Sequence, residues 1–131
     1  MALTVTAAVA QSLASALATS VGASATIKIY SGSKPATPET AATGTLLVTV
    51  PISGSFTASS GSITSADPAA ASPAASGTAG YFRLATSGGT AILDGTVTAT
   101  GGGGDMTLGS VTITTGVPVD LGVPTFTVPV A

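Results

Sequence analysis

The stretch from Gly77 to Thr100, GTAGYFRLATSGGTAILDGTVTAT, constrains the chain most, because it holds two clearly alternating segments joined by an unmistakable turn. In the first segment Phe82 and Leu84 share one face, while Tyr81 and Arg83 share the other. In the second, Ala91, Leu93, Val97 and Ala99 alternate with Asp94, Thr96 and Thr98, the period of a half-buried β-strand. Ser87-Gly88-Gly89 supplies the turn, since glycine adopts positive φ without strain. A β-hairpin is the predicted centre, with Phe82 and Leu84 in the core. Arg83 lies mid-strand in a chain nearly devoid of charge, so it needs a partner. That partner is Asp94 across the hairpin or an acid on another subunit.

The flanking segments repeat the β pattern at close spacing. Ile27-Lys28-Ile29-Tyr30 alternates and runs into the turn Ser31 to Pro35, and Pro35 and Pro38 enforce an extended surface loop. Leu46, Val48, Val50 and Ile52 alternate with Leu47, Thr49 and Pro51, which predicts a strand with Pro51 at an edge or near its end. Phe56 and Ala58 open another, broken by Ser59-Ser60-Gly61 before Ile63, so this piece is two short strands or one bulged strand. Asp67 to Ser76, DPAAASPAAS, reads as a low-complexity surface loop with room for one helical turn after Pro68. Gly101 to Gly104 read as a flexible hairpin loop ending at Asp105. Met106 and Leu108 are then followed by Val111 and Ile113 in the opposite register, which implies a turn or bulge near Gly109-Ser110. Val117, Val119 and Leu121 continue as a strand, and Phe126, Val128 and Val130 form a last one. Pro118 and Pro129 place these final strands at edges. Seven to nine short strands predict a mainly β, antiparallel sandwich or flattened barrel.

Ahead of the strands, Val5, Val9, Leu13 and Leu17 recur every fourth residue, the stripe of an amphipathic helix. The expected organisation is therefore a single β-domain over residues 1–131, with a helix over 3–21 and the sandwich over 26–131. Thr4 or Thr6 caps the helix and Gly22 ends it. A helix this short needs a partner surface. Its stripe packs across one face or end of the β-domain, or docks as an arm on a neighbouring subunit.

Only 6% of the residues are charged, three cations against five acids, and aromatics fall to 4%. An ordinary soluble domain carries about 25% charged residues. With Lys28, Lys34 and Arg83 as the only cations there is no basic patch for nucleic acid. No cysteine and no histidine are present, which removes thiolate and imidazole metal ligands, zinc above all, and the Ser-His-Asp arrangement of serine nucleophiles. Ala2 to Val21 is apolar but lacks the basic start of a secretion signal and is interrupted by Thr6, Gln11, Ser12 and Ser15, so it reads as part of the mature chain. No run approaches the roughly 20 apolar residues of a membrane span, and a soluble protein with no membrane partner is expected.

The five acids, Glu39, Asp67, Asp94, Asp105 and Asp120, fall at turns or on outward strand positions, and read as solvated or turn-capping groups rather than paired catalytic carboxylates. GGGGD lacks the Lys-Ser/Thr and helix of a phosphate loop. Asp105 alone does not supply the six to eight oxygens of a calcium site. No catalytic, cofactor-binding or metal-binding residues are assigned, and no enzymatic activity is expected.

Several motifs carry a resemblance that spans nearly the whole chain. Ile27-Lys28-Ile29-Tyr30-Ser31-Gly32 with Pro35 and Pro38, Gly44-Thr45-Leu46-Leu47, Gly77-Thr78-Ala79-Gly80-Tyr81-Phe82-Arg83-Leu84, Leu93-Asp94-Gly95-Thr96-Val97 and Ile113-Thr114-Thr115-Gly116 with a Thr-Val-Pro terminus resemble a family of small structural proteins of tailed bacteriophages and prophages. The N-terminal helix departs from that family's pattern in lacking charges. The resemblance implies a non-enzymatic virion protein, made in the host bacterial cytoplasm. Its role would be a capsid decoration or cement protein on the outer surface of the major capsid protein, or a tail, neck or fibre component. A carbohydrate-binding or adhesive β-domain is the alternative class, although sugar sites generally offer an exposed aromatic platform.

The mean hydropathy of +0.63 together with the few charges leaves long neutral surfaces. These are explained as contacts between copies, because obligate interfaces resemble a core cut in two. A homo-oligomer follows, and the resemblance favours a trimer. The helix and the proline-marked C-terminal strand are the expected contact elements.

Overall fold

The computed structural model describes residues 5–59, 61–123 and 125–127. The chain is mainly β with one N-terminal helix, its main sheet curled into a half-barrel in the manner of a sandwich or flattened barrel. The larger sheet contains β1 (Thr26–Ser31), β2 (Leu46–Pro51), β5 (Gly77–Ala85), β6 (Ala91–Ala99) and β7 (Met106–Leu108) in the order β2-β1-β5-β6-β7, and β8 (Thr112–Ile113) pairs with the start of β5. The smaller sheet is β3 (Thr57–Ser59), β4 (Ser62–Thr64) and β9 (Thr125–Thr127), in the order β3-β4-β9.

The predicted hairpin is β5 and β6, turned through 86–90 with Gly89 at φ 92°. The Thr86 carbonyl accepts from the Gly89 N–H, and the Thr90 carbonyl accepts from the Thr86 N–H, both at 2.9 Å. Strand registers sort the side chains into rows. Directly opposed residues in antiparallel strands share a face. Val50, Ile27, Leu84 and Leu93 therefore form one row on the core side, and Val48, Ile29, Phe82 and Gly95 the next. Phe82 and Leu84 are buried as expected, in one cluster with Ile63 of the smaller sheet and Phe56 just ahead of it, and Phe126 packs against that cluster. The rings of Phe82 and Phe126 stack with centroids 5.5 Å apart. Gly95 is required beneath Phe82, because a Cβ there would stand 2.5 Å from the ring carbon Cε1.

The break at Ser59-Ser60-Gly61 separates two strands, β3 and β4, paired antiparallel from Thr57↔Thr64 to Ser59↔Ser62. Pro51 closes β2, an edge strand, where its missing N–H costs no ladder bond. Ala74 and Ala75 N–H donate to the Leu47 carbonyl and cover part of that edge.

Several expectations are corrected. The glycine run is no hairpin loop, because β7 lies parallel to β6 with Val97 opposite Met106. A parallel return normally takes a dozen or more residues. Here the chain doubles back within 100–105, with Gly101 and Gly103 at positive φ and Gly102 and Gly104 pressed against Thr98, where added Cβ atoms would come within 2.7 and 2.9 Å of its side chain. Asp67 to Ser76 forms no helical turn but an extended loop, bridged by Ala71 to Val119. Val117, Val119 and Leu121 belong to an irregular segment that joins no strand among the described residues and is paired only through that isolated bridge, so Pro118 marks no strand edge. The alternation there reflects a turn-rich path held by local bonds: the Thr114 carbonyl accepts from the Val117 N–H, and Asp120 Oδ1 from the Gly122 N–H. β9 does lie at a sheet edge, while Val128, Pro129 and Val130 fall outside the described residues.

The helix α1 runs over Ala7–Val21 rather than from residue 3. Thr6 is the cap, its Oγ1 accepting from the Val9 N–H, and Gly22 ends it at φ 71°. Thr4 lies outside the described residues. α1 packs on β3 and β4, but it does so through Ala10, Ala14 and Val21, with Leu17 and Ala18 half-buried, while Val5, Val9 and Leu13 of the predicted stripe are exposed. Gln11 fixes the orientation: its Nε2 donates to the Ala58 carbonyl at 3.3 Å, and its Oε1 accepts from the Gly61 N–H at 3.4 Å.

Because Phe82 sits at the junction of both sheets, Phe82→Ala is expected to cost about 3–5 kcal/mol, read from denaturant melts; a loss below about 1 kcal/mol would place the ring outside the core.

Candidate functional site

The opposite face of the larger sheet carries the chain's polar chemistry. The same registers align Thr49, Lys28, Arg83 and Asp94 in one row and Leu46, Tyr30, Tyr81 and Thr96 in the next. Arg83 is 8% exposed, although it stands on the face expected to be open. The reason is the loop over 32–45 between β1 and β2, which folds back across this face.

Arg83 Nε donates to Asp94 Oδ1 at 2.7 Å, and Nη2 donates to Oδ2 at 2.8 Å, a two-pronged pair across the hairpin. This selects the intrachain partner of the two expected for Arg83. Nη2 also donates to the Thr40 carbonyl at 2.9 Å, tying the loop to the strand. Next to it the Tyr81 hydroxyl donates to the Thr43 carbonyl at 2.7 Å and accepts from the Thr43 N–H at 3.0 Å. The Tyr30 and Tyr81 rings stack, 5.1 Å apart and 10° from parallel. The bonds from Asp94 hold the Arg83 guanidinium even more firmly protonated than usual, and burial, followed by the neighbouring Tyr81, raises the Tyr30 hydroxyl above the ordinary tyrosine range.

The chemistry of this arrangement is that of a lock. Both carboxylate oxygens of Asp94 are taken up by Arg83, and the carboxylate is 2% exposed, so it reaches no ligand. The expectation that all five acids are solvated or turn-capping fails at Asp94. It holds at Asp105, whose Oδ2 accepts from the Thr96 N–H and hydroxyl at 3.0 and 3.2 Å, and at Asp120 in its turn. Glu39 and Asp67 are exposed. No group of three or more His, Cys, Asp or Glu gathers in metal-binding geometry among the described residues.

One crevice of about 190 Å³ lies where the edge strand β7 approaches β9, lined by Asp105, Met106, Thr107, Leu121, Val123 and Phe126. It is smaller than the roughly 300–1,000 Å³ of sites that enclose small molecules. Its one aromatic, Phe126, is half-buried between Phe56 and Phe82 and offers no flat platform. All five aromatic rings of the chain are buried or half-buried.

The Arg83–Asp94 pairing was legible in the sequence; its cover by Thr40 and Thr43 was not. A signal did exist. Lys28-x-Tyr30 and Tyr81-x-Arg83 mirror each other, and an antiparallel pairing of the two brings both tyrosines together. Compared with known proteins, the chain matches no family model, no curated protein and no solved structure. The resemblance to phage structural proteins thus rests on its motifs.

Two outcomes test the lock. Arg83→Met leaves the Asp94 carboxylate buried without its partner and is expected to cost about 3–5 kcal/mol, most of which Arg83→Met with Asp94→Leu recovers, as replacing whole buried pairs does elsewhere; equal losses in the single and double variants would contradict it. Because the Tyr30 hydroxyl titrates higher folded than unfolded, its contribution is complete at neutral pH and is lost as the pH climbs past the ordinary tyrosine value of about 10. Melts at alkaline pH should therefore show a steeper fall for the natural chain than for Tyr30→Phe.

Proposed function

We propose that this chain is a structural protein of the bacteriophage virion, a decoration or cement protein that binds the outer surface of the major capsid protein and assembles there as a homo-oligomer. The single observation that carries the assembly reading is where the charge goes. Arg83 and Asp94 neutralise each other inside the molecule, leaving Lys28, Lys34, Glu39, Asp67, Asp105 and Asp120 for an accessible surface of 6683 Å². Solubility of a freely diffusing monomer normally rests on about 25–35% charged surface residues. A surface of threonine, serine, alanine and backbone suits a subunit whose surroundings are other subunits.

The phage context rests on the motif resemblance, and the trimer on the three-fold positions that decoration proteins commonly occupy in phages of that kind. The adhesive alternative is disfavoured by the absence of an exposed aromatic ring. An enzymatic role is disfavoured by the saturated Arg83–Asp94 pair and the lack of any histidine or cysteine.

Localisation is the test. Mass spectrometry and gold labelling of purified particles from the encoding phage should find the protein on the head, and adding it to particles that lack it should raise their resistance to heat. Label confined to tail, neck or fibres would relocate the role, and absence from particles combined with binding on a glycan array would replace it.

A further inference from the structure

We infer that α1 is the surface on which copies of this chain meet, its Val9 and Leu13, with Val5 just ahead of the cap, packing against the same residues of a second copy; this rests on the self-assembling role proposed above and names its contact. The starting observation is an inversion. The helix seats its small residues, Ala10 and Ala14, against the β3–β4 hairpin and turns larger apolar ones outward, with Val5 40%, Val9 45% and Leu13 45% exposed. Two of the five large apolar side chains exposed among the described residues thus lie on one line of this helix, four residues apart, and a third, Val5, stands just ahead of its cap. An isolated domain gains more by burying valine and leucine than alanine.

Two hydroxyls of that helix surface are prepared for burial. Ser12 Oγ donates to the Ala8 carbonyl at 3.1 Å, and Thr19 Oγ1 to the Ser15 carbonyl at 2.9 Å. These hydroxyls already have intramolecular partners, so covering them strands no hydrogen-bonding group. Ala8, Ser12 and Ala16 flank the stripe and are exposed and small, which permits close approach of two helix backbones.

Charge identifies the occupant as a second copy. Residues 1–27 and 40–66, which include α1, β2 and the β3–β4 hairpin beneath the helix, contain no charged side chain. A symmetric contact sets the same patch of both copies together, so a second copy meets this uncharged surface with an equally uncharged one and no charge on either side is stripped of water. A charged partner would lose hydration here and gain no counter-charge. A membrane surface does not fit, because interfacial helices carry lysine or arginine on the polar face and α1 has none. A stable interface covers about 800 Å² per partner, more than one stripe provides, so the contact extends from the helix onto the neutral hairpin, where Thr57 and Ser59 are exposed.

The absence of cysteine makes the test direct. Val9→Cys and Leu13→Cys variants, oxidised at micromolar concentration, should form disulfide-linked dimers much faster than a Ser33→Cys control on the exposed β1–β2 loop. Leu13→Glu should reduce the sedimentation mass from an oligomer to 12.2 kDa while leaving the circular dichroism of the folded subunit unchanged, since the side chain is exposed in the subunit. A natural chain that sediments as a monomer overturns the inference. So does an oligomer indifferent to Leu13→Glu with no preferential cross-linking at positions 9 and 13. If Leu13→Glu abolishes particle binding without changing the mass, a capsid partner occupies the stripe and the second-copy inference also falls. Particle binding by the natural chain is scored separately: a helix-dependent oligomer absent from virions would overturn the virion role and leave this contact intact.

Discussion

Strand β5 is buried on both faces, and the Arg83–Asp94 pair is what makes the second burial possible. A guanidinium in the middle of a sheet is costly to remove from water unless its donors are satisfied. Asp94 takes two of them and the Thr40 carbonyl another. The loop over 32–45, most of whose own residues are exposed, consequently lies as a cover on that face, anchored at Thr40 by charge-assisted bonding and at Thr43 by both bonds of the Tyr81 hydroxyl. With that cover in place, β5 contributes Phe82 and Leu84 to one core and Tyr81 and Arg83 to another, smaller and polar one. β1 and β6 are then fixed against it by register.

The same economy shapes the surface. Charge placed inside is charge withheld from solvent, and a chain with so few ionic groups is left with neutral threonine- and serine-rich faces. Such faces are poor at keeping monomers apart and well suited to contacts with other subunits. The outward valine and leucine stripe of α1 belongs to this pattern, as does the use of serine and threonine hydroxyls to satisfy the helix's own carbonyls. These are the features on which the proposed structural role in an assembly rests.

Much of this was legible in the sequence where alternation and turn chemistry agreed: the β5–β6 hairpin, the β3–β4 break, Pro51 at an edge and the Arg83–Asp94 pair all follow from residues two apart on a pleated strand. Reading failed where the local pattern admits two answers. A four-residue repeat locates a helical stripe without saying which way it faces, and here alanines make the tighter seat. Four glycines signal freedom, yet in this fold they permit a return so tight that β7 runs parallel to β6. Odd-position valines at 117 and 119 resemble a strand, but with Gly116, Pro118 and Gly122 around them the backbone turns instead. The loop cover over Arg83 was invisible because it depends on backbone carbonyls, which every residue has.

The claim that the 32–45 loop is a fixed cover held by β5 is tested most directly by native-state hydrogen exchange read residue by residue. The Thr43 amide, bonded to the Tyr81 hydroxyl at 3.0 Å, should exchange as slowly as the amides of β1 and β5, opening only with global unfolding, and far more slowly than the turn at 87–89. A Thr43 amide that exchanges as fast as that turn, while β5 stays protected, would show that the strand is buried on one face only and that the lock does not hold its cover.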